Sequence, residues 1–215
     1  KSSAASDVYK RQDVKSVKIL NEDFIAADFL PVKNTNKNEV IIGRTETMDV
    51  AHNQWPQIID KDISSDYAKK TFVKSYFSTA IYLLKRVSSL SISPNQSYRQ
   101  TIDISHTSSY RTTQNKSLRI ENTLSGTANA EFGSLTETLT VSYGIEKMEE
   151  YFTEDRKTTT EEVMYDSISN PRIIVFWDFV KVLALYRTDK KGQTKLLAYN
   201  DFYVETYQKA YVEEV

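Results

Sequence analysis

The sequence predicts an all-β fold, an elongated twisted antiparallel sheet that carries one long amphipathic hairpin. Three observations predict it. Ser and Thr crowd residues 91–165, and proline is missing from Asn95 through Asn170. Such a stretch suits long strands, because proline removes a ladder donor and Thr is β-branched. Residues Arg172 to Arg187 are apolar at odd and even positions alike, which marks a central strand covered on both faces. Finally, residues 118–148 alternate with period two for longer than an ordinary strand.

Taken in chain order, Lys1 to Gln12 reads as a translated sequencing-adapter scar, so residues 1–12 are set aside as a non-native or disordered leader. Residues 13–40 precede and include an exposed polar linker at 32–39, Val-Lys-Asn-Thr-Asn-Lys-Asn-Glu, in which Lys33 and Lys37 offer accessible bonds to a protease. Residues 41–215 read as a single β-rich domain with an insertion segment at 100–165. Phe72 to Ile92 has strand composition, with helical ambiguity at Tyr82 to Val87. After the apolar strand at 172–187, Thr188 to Gln193 with Gly192 reads as a turn, and Thr194 to Tyr199 as its hairpin partner.

The hairpin is read by parity. Before residue 133 the apolar set lies on even positions: Leu118, Ile120, Leu124, Gly126, Ala128, Ala130 and Phe132. After residue 134 it moves to odd positions: Leu135, Leu139, Val141, Tyr143 and Ile145. A two-residue turn produces that switch, and Gly133-Ser134 supplies one because Gly takes φ > 0 readily. The opposite face is hydroxyl-rich: Thr123, Ser125, Thr127, Asn129, Thr136, Thr138, Thr140 and Ser142. Each strand keeps the pattern for about ten residues, roughly 30 Å at ~3.3 Å per residue, close to a bilayer core. Apolar Phe132 and Leu135 flank the turn, where an ordinary soluble hairpin is polar. The alternative is a hairpin packed on a soluble sandwich. Glu137, on the apolar face, counts toward that alternative; on a lipid face it is a pH-sensitive candidate whose protonation eases insertion.

Composition removes other classes. A balance of 28 Lys+Arg against 29 Asp+Glu leaves a net charge of −1, without the basic stripe of a nucleic-acid binder. The chain has no Cys, two His and five Gly. His52 and His106 match no ligand spacing, and no nucleophile elbow, zincin, P-loop or dinucleotide motif occurs. No catalytic residue, metal or cofactor is expected. His106 reads as satisfied or solvated, with acid sensing as its functional alternative. Asp178, inside an apolar strand, needs a partner if buried and is a structural hydrogen-bond site or a switch residue. Trp177 and Trp55 read as core or edge packing.

The order Phe77–Ile92, then Ser93-Pro94-Asn95, then the alternating Ser/Thr-rich stretch, then Pro171–Tyr186 and Leu197–Tyr199 resembles the monalysin-like small β-pore-forming toxins. More loosely it resembles the aerolysin and epsilon-toxin superfamily, whose sheet is of the aerolysin-like type. The resemblance covers roughly residues 77–199. It implies a secreted, non-enzymatic protomer that binds a lipid or glycan receptor on a target-cell membrane and assembles as a homo-oligomer ring. It further implies activation by a protease, which makes 13–40 a candidate prosegment. The even and odd apolar sets then face lipid and the hydroxyl set faces a pore lumen. The alternative reading is a lectin-like β-sandwich binding module that forms no pore.

Overall fold

A computed structural model of the 215-residue chain describes residues 14–49, 76–107, 109–112, 117–118, 156–188 and 191–213. Two single-turn 3₁₀ helices, Val14–Ser16 and Ala26–Phe29, come first. The strands follow in order: β1 (Glu39–Arg44), β2 (Met48–Asp49), β3 (Tyr76–Ile92), β4 (Tyr98–Thr107), β5 (Ser109–Thr112), β6 (Ser117–Leu118), β7 (Arg156–Tyr165), β8 (Arg172–Thr188) and β9 (Thr194–Val212). The strand ladders are antiparallel throughout, so the all-β antiparallel expectation holds.

The main sheet runs β1-β3-β8-β9-β5-β6, with β2 beside β1 on the edge of β3. Strand β8 lies at its centre, paired along its length with β3 and with β9, as its apolar residues on both parities require. The turn with Gly192 is present, its φ of 78° allowed without cost to glycine. The strand after that turn runs on to Val212, well beyond the expected Tyr199. Polar residues such as Thr206 and Gln208 break the apolar signal there, yet the long ladder to β8 holds them. The residues Tyr82 to Val87 are strand, which resolves the helical ambiguity in favour of sheet pairing.

The two faces of β8 have different covers. One face presents Val175 and Trp177, and over it pack Leu20, Phe24, Ala26 and Phe29 from the N-terminal segment. Phe24 meets Tyr82 at a ring distance of 4.5 Å and Phe179 edge-on at 5.7 Å. This strap is stitched to β1: Leu20 N–H donates to the Arg44 carbonyl at 2.9 Å, and Arg44 N–H to the Lys18 carbonyl at 2.9 Å. The buried Arg44 guanidinium is tolerated because the carbonyls of Val17, Thr45 and Lys15 accept from it. Beyond the strap, the expected polar linker is a loop that ends at Asn38. Arg86 holds it through the carbonyls of Thr35 and Asn38, yet Val32 at its start is 86% exposed.

The other face of β8 is covered at one end by a separate two-stranded ribbon of β4 and β7. Ile104 and Val163 of the ribbon bury against Ile92 of β3 and Ile174 and Phe176 of β8. The link from β3 to β4 is a tight turn in which Asn95 adopts a φ of 59°, a conformation asparagine reaches more easily than most residues. Its amide donates to the Ile168 carbonyl at 2.7 Å.

The strap closes on β1 at Gly43, where a side chain would overlap that of Leu20. Gly43→Ala is expected to cost about 1–3 kcal/mol by overpacking. A urea titration should show a lower midpoint with an unchanged slope, and an unchanged midpoint would mean that Leu20 yields freely.

Candidate functional site

The ribbon meets the sheet through side chains, and the seam changes character along its length. Even residues of β4 and odd residues of β7 turn toward the sheet, as the pleat requires. Ile102, Ile104 and Val163 make the seam apolar near the Asn95 turn. Farther along, the same parity brings His106 of β4 and Thr159 of β7 over Asp178 of β8 and Tyr203 and Thr206 of β9. Here the seam is polar and buried: His106 is 2% exposed and Asp178 3%.

These five side chains form a hydrogen-bonded chain from Thr159 through His106, Asp178 and Thr206 to Tyr203. His106 Nδ1 lies 2.6 Å from Asp178 Oδ2, and His106 Nε2 lies 2.7 Å from Thr159 Oγ1. Thr206 donates to Asp178 Oδ1 at 2.9 Å, and its oxygen lies 3.1 Å from the Tyr203 phenol oxygen. The imidazole stacks on the Tyr203 ring, centroids 3.8 Å apart and planes 14° from parallel. Burial, the largest effect, raises the Asp178 pKa above its ordinary value of 3.8; the hydrogen bonds from His106 and Thr206 and the charges of His106 and Lys85 oppose it. Burial likewise raises the Tyr203 phenol. Because the folded state holds the Asp178 proton more tightly than an exposed carboxyl does, this group's contribution to stability is full below pH 3.8. It is lost as pH rises through the raised value.

Hydroxyl, imidazole and carboxylate in sequence also describe an acyl-transfer triad. The arrangement reads as a fastener instead. The His106 ring is buried under Tyr203, and the Thr159 oxygen is already engaged by His106 Nε2. A nucleophile needs its oxygen open to a substrate carbonyl. Among the described residues no cluster of His, Cys, Asp or Glu is arranged to hold a metal ion. On the strap side of the sheet a cavity of about 410 Å³ opens beside Glu22, Glu46, Tyr82 and Lys181.

Of the residues expected from sequence to act, Lys33 and Lys37 are exposed in the loop before β1. Leu118 ends β6, opposite Tyr110 of β5. The rest of the hairpin at 120–145, with the Gly133-Ser134 turn and Glu137, lies outside the described residues, as do Trp55, His52 and residues 1–12. Trp177 is core. The pairing of His106 with Asp178 was not found from sequence. Its only trace there was a carboxylate in an apolar strand and an imidazole at an inward position of a Thr-rich one.

Asp178→Ala removes the acceptor for both His106 and Thr206 in a buried seam. The expected loss is about 3–5 kcal/mol at mildly acidic pH, measured by chemical unfolding. A loss below 1 kcal/mol would show that the polar cluster adds nothing to the apolar seam beside it.

No family model matches the sequence, and no curated protein matches it. Among solved structures, the crystal structure of Cry35Ab1 is similar, at 13% identity and a TM-score of 0.43, over 84% of this chain and 52% of that one. The chain thus spans about half the length of that protein. At that level of similarity the fold class rests on the chain's own strands, which make it an all-β antiparallel protein.

Proposed function

We propose that the chain is a pore-forming toxin protomer. It is secreted, meets a lipid or glycan receptor on a target-cell membrane, assembles with copies of itself into a ring, and inserts residues 118–148 as hairpins of a shared transmembrane β-barrel. Proteolysis near Lys33 or Lys37 activates it. No catalysis, cofactor or nucleic acid is involved.

The observation that carries this reading is the β4–β7 ribbon. Among the described residues its two strands pair by backbone only with each other, and they are fixed to the sheet by side chains. Thr107 stands opposite Arg156, so both strands run side by side into the segment between them. The parities also agree: β4 turns even residues and β7 odd residues toward the sheet, and the apolar set of 118–145 is even before its turn and odd after it. A ladder that continued the ribbon through the hairpin would carry one apolar face along its length. Such a hairpin alone leaves unpaired edges in lipid, so it needs neighbouring copies to close a barrel. In the present state β5 is paired with β9 instead, and insertion requires that pairing to be exchanged.

The strap supports the activation step. It covers Tyr82, Leu84, Val175 and Trp177, so its departure bares an apolar face suited to contact between copies. The loop with Lys33 and Lys37 is the exposed connection at which the strap is most easily cut free. A second reading, a lectin-like binding module, draws on the cavity beside Tyr82, where one aromatic ring and the carboxylates of Glu22 and Glu46 sit together. That lining suits a sugar, and glycan binding without membrane leakage would favour it.

Two outcomes follow from the pore reading. Limited trypsin digestion should cut first at Lys33 or Lys37 and increase dye leakage from liposomes; abolished leakage would rule out the strap as a prosegment. Replacing Phe132 and Leu135 together by Asp should block leakage, since each charge crossing ~30 Å of hydrocarbon costs a few kcal/mol. Turn residues carry little core burial, so the protomer should stay folded. Leakage equal to wild type would show that these residues do not cross, and unfolding would show that the apolar face is core.

A further inference from the structure

We propose that the cavity on the strap side of the sheet is a binding site for a small amphipathic amine, and that its occupancy fastens the strap. The cavity, about 410 Å³, has three walls from different parts of the chain. Its floor is the sheet, where Ala80 of β3 and Leu183 of β8 stand opposite each other in register. A second wall is the bend after β1, with Thr45, Glu46 and Met48. The third is the strap itself, from Ile19 to Glu22. The volume is that of a small-molecule site, and apolar walls with a few polar groups among them are what such sites have.

The chemistry of the lining selects the ligand. Leu20, Ala80 and Leu183 are buried hydrocarbon, and Met48 adds a side chain that adapts to irregular shapes. Together they call for an apolar body. The charged groups are two carboxylates, Glu22 and Glu46, and one ammonium, Lys181, which leaves one negative charge in excess. Lys181 stands over the Tyr82 ring, 5.7 Å from its centroid, and among the described residues neither carboxylate is in an ion pair. A cationic end on the ligand balances that excess. A neutral sugar is the competing occupant. It would use the carboxylates as acceptors but leave the charge unmatched, and Tyr82, 5% exposed and met by Phe24 at 4.5 Å, gives it little ring to stack on.

The strap is the removable wall. Thr45 is pinned to the sheet, since its N–H donates to the Ala80 carbonyl at 2.8 Å and the Ala80 N–H donates to Thr45 Oγ1 at 3.0 Å. The strap is joined beside the cavity by the Leu20 N–H to the Arg44 carbonyl and the Arg44 N–H to the Lys18 carbonyl, each 2.9 Å. When the strap lifts, the cavity loses Leu20 and Glu22, and with them an apolar wall and one of its two carboxylates. A ligand that binds only the closed form lowers the open population by the factor 1 + [L]/Kd. The amine therefore opposes the strap release that activation of a pore would use, while the site itself does not rest on the pore reading.

The test uses the intact chain in solution without a membrane. One probe is 2-phenylethylamine, and 2-phenylethanol has nearly the same shape without the charge. The Met48 methyl lines the cavity, and the Met164 methyl, exposed on the ribbon, is the control. In an NMR titration the amine should shift Met48 and not Met164. It should bind about tenfold more tightly than the alcohol, the worth of one hydrogen bond to a charged group. Glu22→Gln together with Glu46→Gln removes the charge at two exposed positions and should bring the two affinities together. At ten times its Kd the amine should slow hydrogen exchange of the Leu20 and Arg44 amides about elevenfold. The Asn95 amide, in the turn between β3 and β4, should keep its rate. An unmoved Met48, equal affinities for amine and alcohol in the wild type, or tighter binding of lactose overturns the ligand assignment. Amine binding without slower exchange at Leu20 and Arg44 overturns the coupling to the strap.

Discussion

Strand β8 must be covered on both faces, and the rest of the molecule answers to that constraint. Its even and odd residues are both apolar, so neither face tolerates water. A sheet of β3, β8 and β9 satisfies the backbone but leaves both faces bare. Residues 20–30 of the strap cover one of them, and Val14 and the β4–β7 ribbon cover parts of the other. Fully buried Phe176 and Trp177, adjacent in sequence, point to opposite sides. The ribbon is joined to the sheet by side chains, and the strap by packing and a few backbone bonds to β1, whereas β8 is laddered along its length on both sides.

The two covers differ in what fixes them. The strap is held by shape and by backbone bonds: Leu20 sits in the space Gly43 leaves open, and Arg44 gathers the carbonyls of Lys15 and Val17. The ribbon is held by an apolar seam that ends in a buried polar cluster around Asp178. The seam supplies most of the burial, and within it the Asp178 carboxyl holds its proton more tightly than an exposed one does.

The sequence by itself determined the class and the long strands. Thr-rich, proline-free composition and the double apolar parity of 172–187 are local properties, and β structure follows from them wherever the chain finds partners. The turn at Gly192 and the loop with Lys33 and Lys37 were legible for the same reason, since turn chemistry and polarity act over a few residues. The length of β9 was not legible, because Thr206 and Gln208 are strand only through their ladder to β8.

Only the tertiary structure decided which residues meet across the seam. His106 and Asp178 lie on strands that no sequence period connects, and their contact depends on how the ribbon lies on the sheet. It was also the tertiary structure that joined the strap to the core. Residues 13–40 read as a candidate prosegment and exposed linker, yet Val14, Leu20 and Phe24 pack against the sheet. Local composition sets what a segment can form, whereas burial and charge pairing are sums over distant neighbours. A sequence window does not contain those neighbours.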